Sequence, residues 1–125
     1  MAKHLNTGKQ GETLGAHYLE ERGYNILHVN WRYSYYEIDL IAWKEPVLHF
    51  IEIKTRSNNR FGYPEEGVTV KKLKRIMQAA EAFLLSNSQY TRVQYDILSV
   101  IIVERNKAAF YLLEDVYFNG SNLSE

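Results

Sequence analysis

The sequence predicts an α/β protein in which a mixed five-stranded sheet is flanked by helices. Two stretches have helical periodicity, five are rich in β-branched and aromatic residues, and their order is α-β-β-β-α-β-β. A length of 125 residues without a repeat, linker or low-complexity tract predicts a single domain over residues 1–125. A composition of 46% apolar and 24% charged residues excludes wholesale disorder.

The first predicted helix covers residues 8–22, with Asn6 or Thr7 as its N-cap and Gly23 as its C-terminal stop. One side of this helix carries Gly11, Gly15 and Glu12. Each glycine costs a helix about 1 kcal/mol relative to alanine, so we expect another part of the chain to approach this side closely. A carboxylate on a packed side needs a partner, so Glu12 is a candidate functional residue. The alternative is that Glu12 is there only because the positive N-terminal end of the helix dipole stabilises an acidic residue.

The remaining helix and strands are predicted from hydrophobic periodicity and from the turn residues between them. Lys44-Glu45-Pro46 separates two of the predicted strands, and the long amphipathic helix is suited to a parallel crossover between the strands on either side of it. The predicted strands cover residues 24–31, 37–43, 47–55, 93–103 and 108–117, and the long helix covers residues 69–85.

The hairpin formed by the second and third strands carries the candidate catalytic groups. Because side chains alternate along a strand, Glu52 and Lys54 share one face of the third strand. If residues 44–47 form a four-residue loop, Asp39 lies opposite Glu52, whereas a loop one residue shorter puts Asp39 opposite Ile51. Two opposed carboxylates repel each other unless a cation lies between them.

Such a carboxylate pair suits a divalent metal. Mg²⁺ prefers hard oxygen ligands, and Glu12 would complete an acidic shell with Asp39 and Glu52 if the first helix reaches the hairpin. A metal there would polarise a phosphodiester and lower the pKa of a bound water. Lys54 would orient or deprotonate the attacking water, or stabilise charge on the phosphate. The alternative is a structural ion pair in which Lys54 bridges two carboxylates of a sheet.

The formal net charge is zero, from 15 Lys and Arg against 15 Asp and Glu, which by itself does not favour a nucleic-acid partner. Basic residues cluster after the third strand, however, where they either follow a phosphate backbone or form a solvated helix face. The tyrosines at positions 33, 35 and 36 either stack on unpaired bases or pack at an edge strand or in a dimer. The basic candidates are Arg56, Arg60, Lys71, Lys72 and Arg75.

The absence of cysteine excludes a disulfide framework, a thiolate zinc site and a cysteine nucleophile. No apolar run approaches the length of about 18 residues that a membrane span needs. The first residues, Met1-Ala2-Lys3-His4, lack an apolar signal segment. We therefore expect a cytoplasmic protein that does not associate with a membrane.

Short motifs occur along the chain at 8–12, Asn30-Trp31-Arg32, 37–42, 50–56, Phe61-Gly62 and Tyr95-Asp96. Together they resemble the YraN-type family of small bacterial proteins. This family is similar to the archaeal Holliday-junction resolvases and to the restriction-endonuclease-like nucleases. One departure is Tyr36, at a position where the family usually has glycine, a residue suited to a positive φ or to close approach by substrate.

The resemblance implies a restriction-endonuclease-like core and an acidic site that falls on Glu12, Asp39, Glu52 and Lys54, with Lys72 approaching it. It implies a Mg²⁺- or Mn²⁺-dependent endonuclease that hydrolyses phosphodiesters in structured or branched DNA. By analogy with junction-cleaving relatives it also implies a homodimer. The alternative is a non-catalytic module that keeps the nuclease-like core and binds nucleic acid or a protein partner.

Overall fold

The computed structural model describes residues 7–57, 69–104 and 107–116. Five strands form one sheet in the order β1-β2-β3-β4-β5. The β3 and β4 strands are parallel and the other neighbouring pairs are antiparallel, so the predicted α/β fold with a mixed sheet is confirmed. In chain order the elements are α1 (Thr7–Glu20), β1 (Asn25–Tyr33), β2 (Tyr36–Lys44), β3 (Val47–Arg56), α2 (Val70–Leu85), β4 (Val93–Glu104) and β5 (Lys107–Leu113).

Helix α1 ends at Glu20 rather than at residue 22, and Gly23 terminates it as predicted. The φ of Gly23 is +93°, a left-handed conformation that glycine adopts without steric cost. This turn lets the Gly23 N–H donate to the Glu20 carbonyl at 3.1 Å and the Tyr24 N–H donate to the Leu19 carbonyl at 3.1 Å. Asn6, one of the two predicted N-caps, lies outside the described residues, and Thr7 is the first helical residue.

The glycines of α1 allow the helix to approach the sheet closely. A Cβ atom added to Gly11 would lie 1.8 Å from Thr55 Oγ1, which is a clash. A Cβ atom added to Gly15 would lie 3.1 Å from Leu98 Cδ2 and 3.3 Å from Ile53 Cδ1. The close approach that the sequence predicted is therefore present, and strands β3 and β4 provide it.

Apolar side chains pack on both faces of the sheet. One core joins α2 to Ile41, Leu48 and Phe50, and the other joins Leu19 of α1 to residues that include Leu40 and Ile51. Because neighbouring residues of a strand point to opposite faces, the two helices cover opposite sides of the sheet. Neither helix in the described part of the chain has the length and apolar character needed to cross a membrane.

The register of the β2–β3 hairpin is the one predicted from a loop at residues 44–47, and it brings the two acidic residues to adjacent strands at the end of the ladder. Trp43 pairs with Leu48, and the ladder continues to the pair of Leu40 with Ile51. The ladder ends at that pair, and Asp39 and Glu52 are the residues directly beyond it, one on each strand. The alternative register, in which Asp39 lies opposite Ile51, is excluded.

Strand β5 is shorter than predicted, because it ends at Leu113 rather than at residue 117, which itself lies outside the described residues. Asp115 has a φ of +59° and turns the chain out of the strand direction. Its N–H donates to Asp96 Oδ1 at 2.9 Å, and the next N–H, that of Val116, donates to the Tyr95 carbonyl at 2.7 Å. Two hydrogen bonds to residues near the start of β4 therefore fix the path of the chain after β5.

Candidate active site

Asp39 and Glu52 meet at the β2–β3 hairpin. Asp39 Oδ2 accepts a hydrogen bond of 2.8 Å from the backbone N–H of Ile53, and the charge of Glu52 acts on the Asp39 carboxyl group at close range. Glu52 is only 6% exposed, although it is an acidic residue in the middle of an apolar strand. The predicted pairing of these two carboxyl groups is thus present, and both are held from the same strand, β3.

The environment of the pair opposes its double ionisation. The pKa of Asp39 is raised from 3.8 to about 7, mainly because burial penalises the charged form and secondly because Glu52 repels it. The hydrogen bond from Ile53 and the positive charge of Lys72 act in the opposite direction but are outweighed. The Asp39 carboxyl group is therefore partly protonated near neutral pH.

Lys72 brings a positive charge to this pair from helix α2. Its Nζ lies 2.6 Å from Glu52 Oε2, with the lysine side chain 45% exposed and the glutamate side chain 7% exposed. Thr69 caps the helix, since its hydroxyl accepts a 3.1 Å hydrogen bond from the Lys72 N–H. The cap and the burial of Ile76 one turn further fix the first turn of α2 beside the hairpin.

A depression of about 470 Å³, hereafter the cleft, opens beside the carboxyl pair. Its lining comes from three places: the β2–β3 hairpin, the turn between β1 and β2, and the first turns of α2. Acidic, basic and aromatic side chains therefore share one surface. The lining residues are Tyr35, Tyr36, Glu37, Asp39, Glu52, Thr69, Lys71, Lys72, Arg75 and Ile76.

Tyr36, at the position where the resemblance implied glycine, occupies an ordinary strand position. It begins β2 and pairs with Tyr33, while the positive φ of this turn, +59°, belongs to Ser34. The left-handed conformation that would require glycine is therefore not needed at residue 36. The hairpin accommodates tyrosine there, and the ring becomes part of the cleft lining.

Glu12 lies away from the cleft. Its Oε1 accepts a 3.2 Å hydrogen bond from Asn30 Nδ2 of β1, and both residues line a separate depression beside α1. Asn30 is thus the partner that a carboxylate on the packed side of α1 was expected to need. Within residues 7–57, 69–104 and 107–116, no three or more His, Asp or Glu side chains are grouped so as to hold a metal ion. The structure brings together two of the three predicted metal ligands.

The predicted basic residues also separate into two sets. Lys71, Lys72 and Arg75 line the cleft, whereas Lys54 and Arg56 are half-buried on β3 and are not among the described residues that line it. The ammonium group that contacts Glu52 is that of Lys72, not that of Lys54, which is in register with Ser99 of β4. Arg60 lies outside the described residues.

A buried pair of polar residues, His49 and Asp96, lies on the side of the sheet that α1 covers. The sequence analysis did not predict this pair. His49 Nδ1 is 2.6 Å from Asp96 Oδ2, and the other oxygen of Asp96 accepts hydrogen bonds from Gln94 Nε2 at 3.0 Å and from the Asp115 N–H at 2.9 Å. Asp96 therefore anchors the chain that follows β5, and it is not among the residues that line the cleft. The available signal was a polar residue within an apolar run on each of two adjacent strands.

The fold and the site define an α/β protein with a mixed sheet, a buried carboxyl pair and a basic helix start beside it. Residues 11–100 match the family described as "Uncharacterised protein family UPF0102", a range that includes Glu12, Asp39, Glu52 and Lys72. The chain belongs to this family.

Similar proteins named UPF0102 protein occur in several bacteria. The relative from Bacteroides thetaiotaomicron is 43% identical over 117 residues, which cover 89% of this chain and 97% of that protein. The relative from Flavobacterium psychrophilum is 36% identical over 119 residues, covering 95% and 99%. The relative from Chloroherpeton thalassium is 39% identical over 113 residues, covering 89% and 88%. These matches extend over nearly the full length of each protein, so they relate whole chains rather than a shared fragment.

Proposed function

We propose that the protein is a divalent-metal-dependent nuclease that hydrolyses phosphodiesters in structured or branched DNA. The observation that carries the proposal is the placement of the Asp39–Glu52 pair in a cleft that Lys71, Lys72 and Arg75 also line. Groups suited to holding a cation and groups suited to holding phosphates thus share one depression. The resemblance of the segments around Asp39 and Glu52 to nuclease families supports the same function.

The residues present fit Mg²⁺ or Mn²⁺. Asp39 and Glu52 offer hard oxygen donors, and a cation would offset both the burial that mainly raises the pKa of Asp39 and the repulsion by Glu52 that adds to it. These two carboxylates would hold the ion, because Mg²⁺ normally retains several waters and needs few protein ligands. When bound, the ion would supply Lewis-acid polarisation of the scissile phosphate and activation of a water molecule.

The chain's own residues would position the substrate and stabilise its charge. The ammonium group of Lys72 is partly exposed and can turn from Glu52 towards an entering phosphate, where it would offset charge that develops during cleavage. Lys71 and Arg75 would hold neighbouring phosphates and so set the position of the strand. The backbone N–H of Ile53 keeps the Asp39 carboxyl oriented into the cleft.

The test is cleavage of synthetic junctions and flaps in Mg²⁺ or Mn²⁺, with EDTA as the metal-free reference. We expect Asp39→Asn and Glu52→Gln to lower the rate by about 100-fold or more, since each removes an ionised ligand. Lys72→Ala should lower it by about 10- to 100-fold because one phosphate contact is lost. The matched control is Lys107→Ala, which removes an exposed lysine of β5 that pairs only loosely with Glu104, at 3.9 Å. Equal activity in the wild type and all four variants would indicate a contaminating nuclease and would reject the proposal.

A second candidate function is a non-catalytic nucleic-acid-binding module. The observation that favours it is the separation of Glu12, held by Asn30, from the carboxyl pair, which leaves the acidic shell smaller than the resemblance implies. Calorimetry with Mn²⁺ separates the two functions. A metal site that is lost in Asp39→Asn supports the nuclease, whereas DNA binding without any metal site supports the module.

A further inference from the structure

We infer that the cleft receives an unpaired stretch of nucleic acid, with a base stacked on Tyr35 while the adjoining phosphates contact the basic residues of α2. This inference rests on the proposed function and narrows its substrate class. The preferred substrate would be a flap, an opened branch point or a single strand rather than a continuous duplex.

The first support is the unusual exposure of Tyr35. The residue is 93% exposed at the tip of the β1–β2 hairpin, and it lines the same cleft as the carboxyl pair. The turn beneath it is tight, because Tyr33 pairs directly with Tyr36 and Ser34 adopts a left-handed φ of +59°. The short turn fixes the backbone at Tyr35, and the exposed ring is accessible for stacking on a base.

The second support is the charge at the start of α2. Lys71 and Arg75 are four residues apart, so they lie on one face of the helix, and Lys72 adds a third positive charge to the same cleft. The capped amino end of α2 contributes the positive end of its helix dipole at this place. Basic groups that track a backbone beside an aromatic ring are the combination that single-strand-binding proteins use.

The restriction to unpaired nucleic acid follows from the geometry of stacking. In a continuous duplex, both faces of each base are covered by its neighbours, so a tyrosine ring can stack only on a base at an end, at a branch or in a single strand. The acidic lining opposes a second backbone in the cleft, because Glu37, Asp39 and Glu52 would repel its phosphates. One strand therefore fits the mixed charge of the cleft better than two.

The experiment measures binding without cleavage. Fluorescence anisotropy in EDTA at low salt follows a labelled single-stranded oligonucleotide as it is displaced by the unlabelled single strand or by a covalently closed circular duplex, which has no ends, for the wild type, Tyr35→Ala and Tyr35→Phe. We expect the wild type to prefer the single strand. Tyr35→Ala should weaken single-strand binding by about tenfold, the usual effect of losing one stacked base, and Tyr35→Phe should retain it. The matched control is Tyr111→Ala, which removes a tyrosine of β5 that is 54% exposed and should leave binding unchanged.

A 2-aminopurine base in the oligonucleotide provides a second readout. Its fluorescence should be quenched by the wild type and by Tyr35→Phe but not by Tyr35→Ala. Equal affinity for duplex and single strand, or equal losses in Tyr35→Ala and Tyr111→Ala, would overturn the inference. Single-strand binding through Tyr35 without cleavage in Mn²⁺ would reject the nuclease alone, and cleavage with unaltered binding by Tyr35→Ala would reject the inference alone.

Discussion

The Asp39 carboxyl group is held in an environment that disfavours its charge, and this has a definite effect on stability. Its pKa in the folded protein, about 7, is above the ordinary value of 3.8. Between these two values the folded state therefore binds more protons than the unfolded state. The sign of the linkage follows: the contribution of Asp39 to stability is fully present below about pH 4, decreases as the pH rises, and is lost above about pH 7.

Replacing Asp39 with asparagine keeps the shape of the side chain and removes the charge. In EDTA we expect Asp39→Asn to raise the free energy of unfolding by about 1–2 kcal/mol at pH 8, because the variant has no buried carboxylate to ionise. At pH 4 the gain should disappear, since the wild-type carboxyl is then protonated. Urea denaturation at both pH values measures the difference. Glu104→Gln, at an exposed position, is the control and should show no such pH dependence; a gain of equal size at pH 4 and pH 8 would contradict the assignment.

Some contacts of the candidate site residues could be predicted from the sequence and others could not. The pairing of Asp39 with Glu52 could be predicted, because alternation and loop length determine which side chains of a hairpin face each other. The partner of Glu12 could not, since Asn30 is 18 residues away in sequence and only the placement of α1 across β1 brings the two together. Lys72 followed from family resemblance rather than from pattern, because the distance between a helix start and a hairpin depends on tertiary packing.

At the scale of elements, the contact between α1 and β3 depends on the missing side chain at Gly11. A Cβ atom there would lie 1.8 Å from Thr55 Oγ1 and 2.6 Å from Thr55 Cγ2. We expect Gly11→Ala to lower the free energy of unfolding by about 1–3 kcal/mol, because the overlap outweighs the helix-propensity gain of about 1 kcal/mol. Urea denaturation provides the measurement.

Two controls isolate the steric cause. Thr13→Ala, on the exposed side of α1, should change stability only slightly. Combining Gly11→Ala with Thr55→Gly removes the obstructing side chain, so the double variant should lose less stability than the sum of the two single variants. Strict additivity would show that the helix does not contact β3 in this way.

The elements themselves were largely predictable, and the exception has a physical cause. The helices and the first four strands begin and end within two residues of the predicted positions, because apolar periodicity and turn residues identify them locally. Strand β5 ends early because Asp96 and Tyr95 take the backbone N–H groups of Asp115 and Val116. These two hydrogen bonds join β4 to the segment that follows β5. The sequence of residues 108–117 alone does not predict them.

At the scale of the whole molecule, the zero net charge conceals an uneven distribution. Three basic residues, Lys71, Lys72 and Arg75, converge on one cleft. If they contact phosphates, Lys71→Gln and Arg75→Gln should each reduce the slope of log affinity against log salt concentration by about 1 and should weaken binding for every sequence. Anisotropy titrations in EDTA at several KCl concentrations measure this slope. Lys107→Gln on β5 is the control, and an equal reduction there would mean that binding follows total charge rather than the cleft.

Ile53 joins the two sides of the sheet in one residue. Its backbone N–H is bonded to Asp39 in the cleft, while its side chain lies in the core beneath α1, next to Gly15. A proton or a cation that binds Asp39 must alter this hydrogen bond. The change therefore reaches Ile53, whose side chain is buried on the opposite face of the sheet. The amide of Ile53 is thus a built-in NMR reporter: its chemical shift and hydrogen-exchange rate follow the occupancy of the carboxyl pair without a label placed in the cleft.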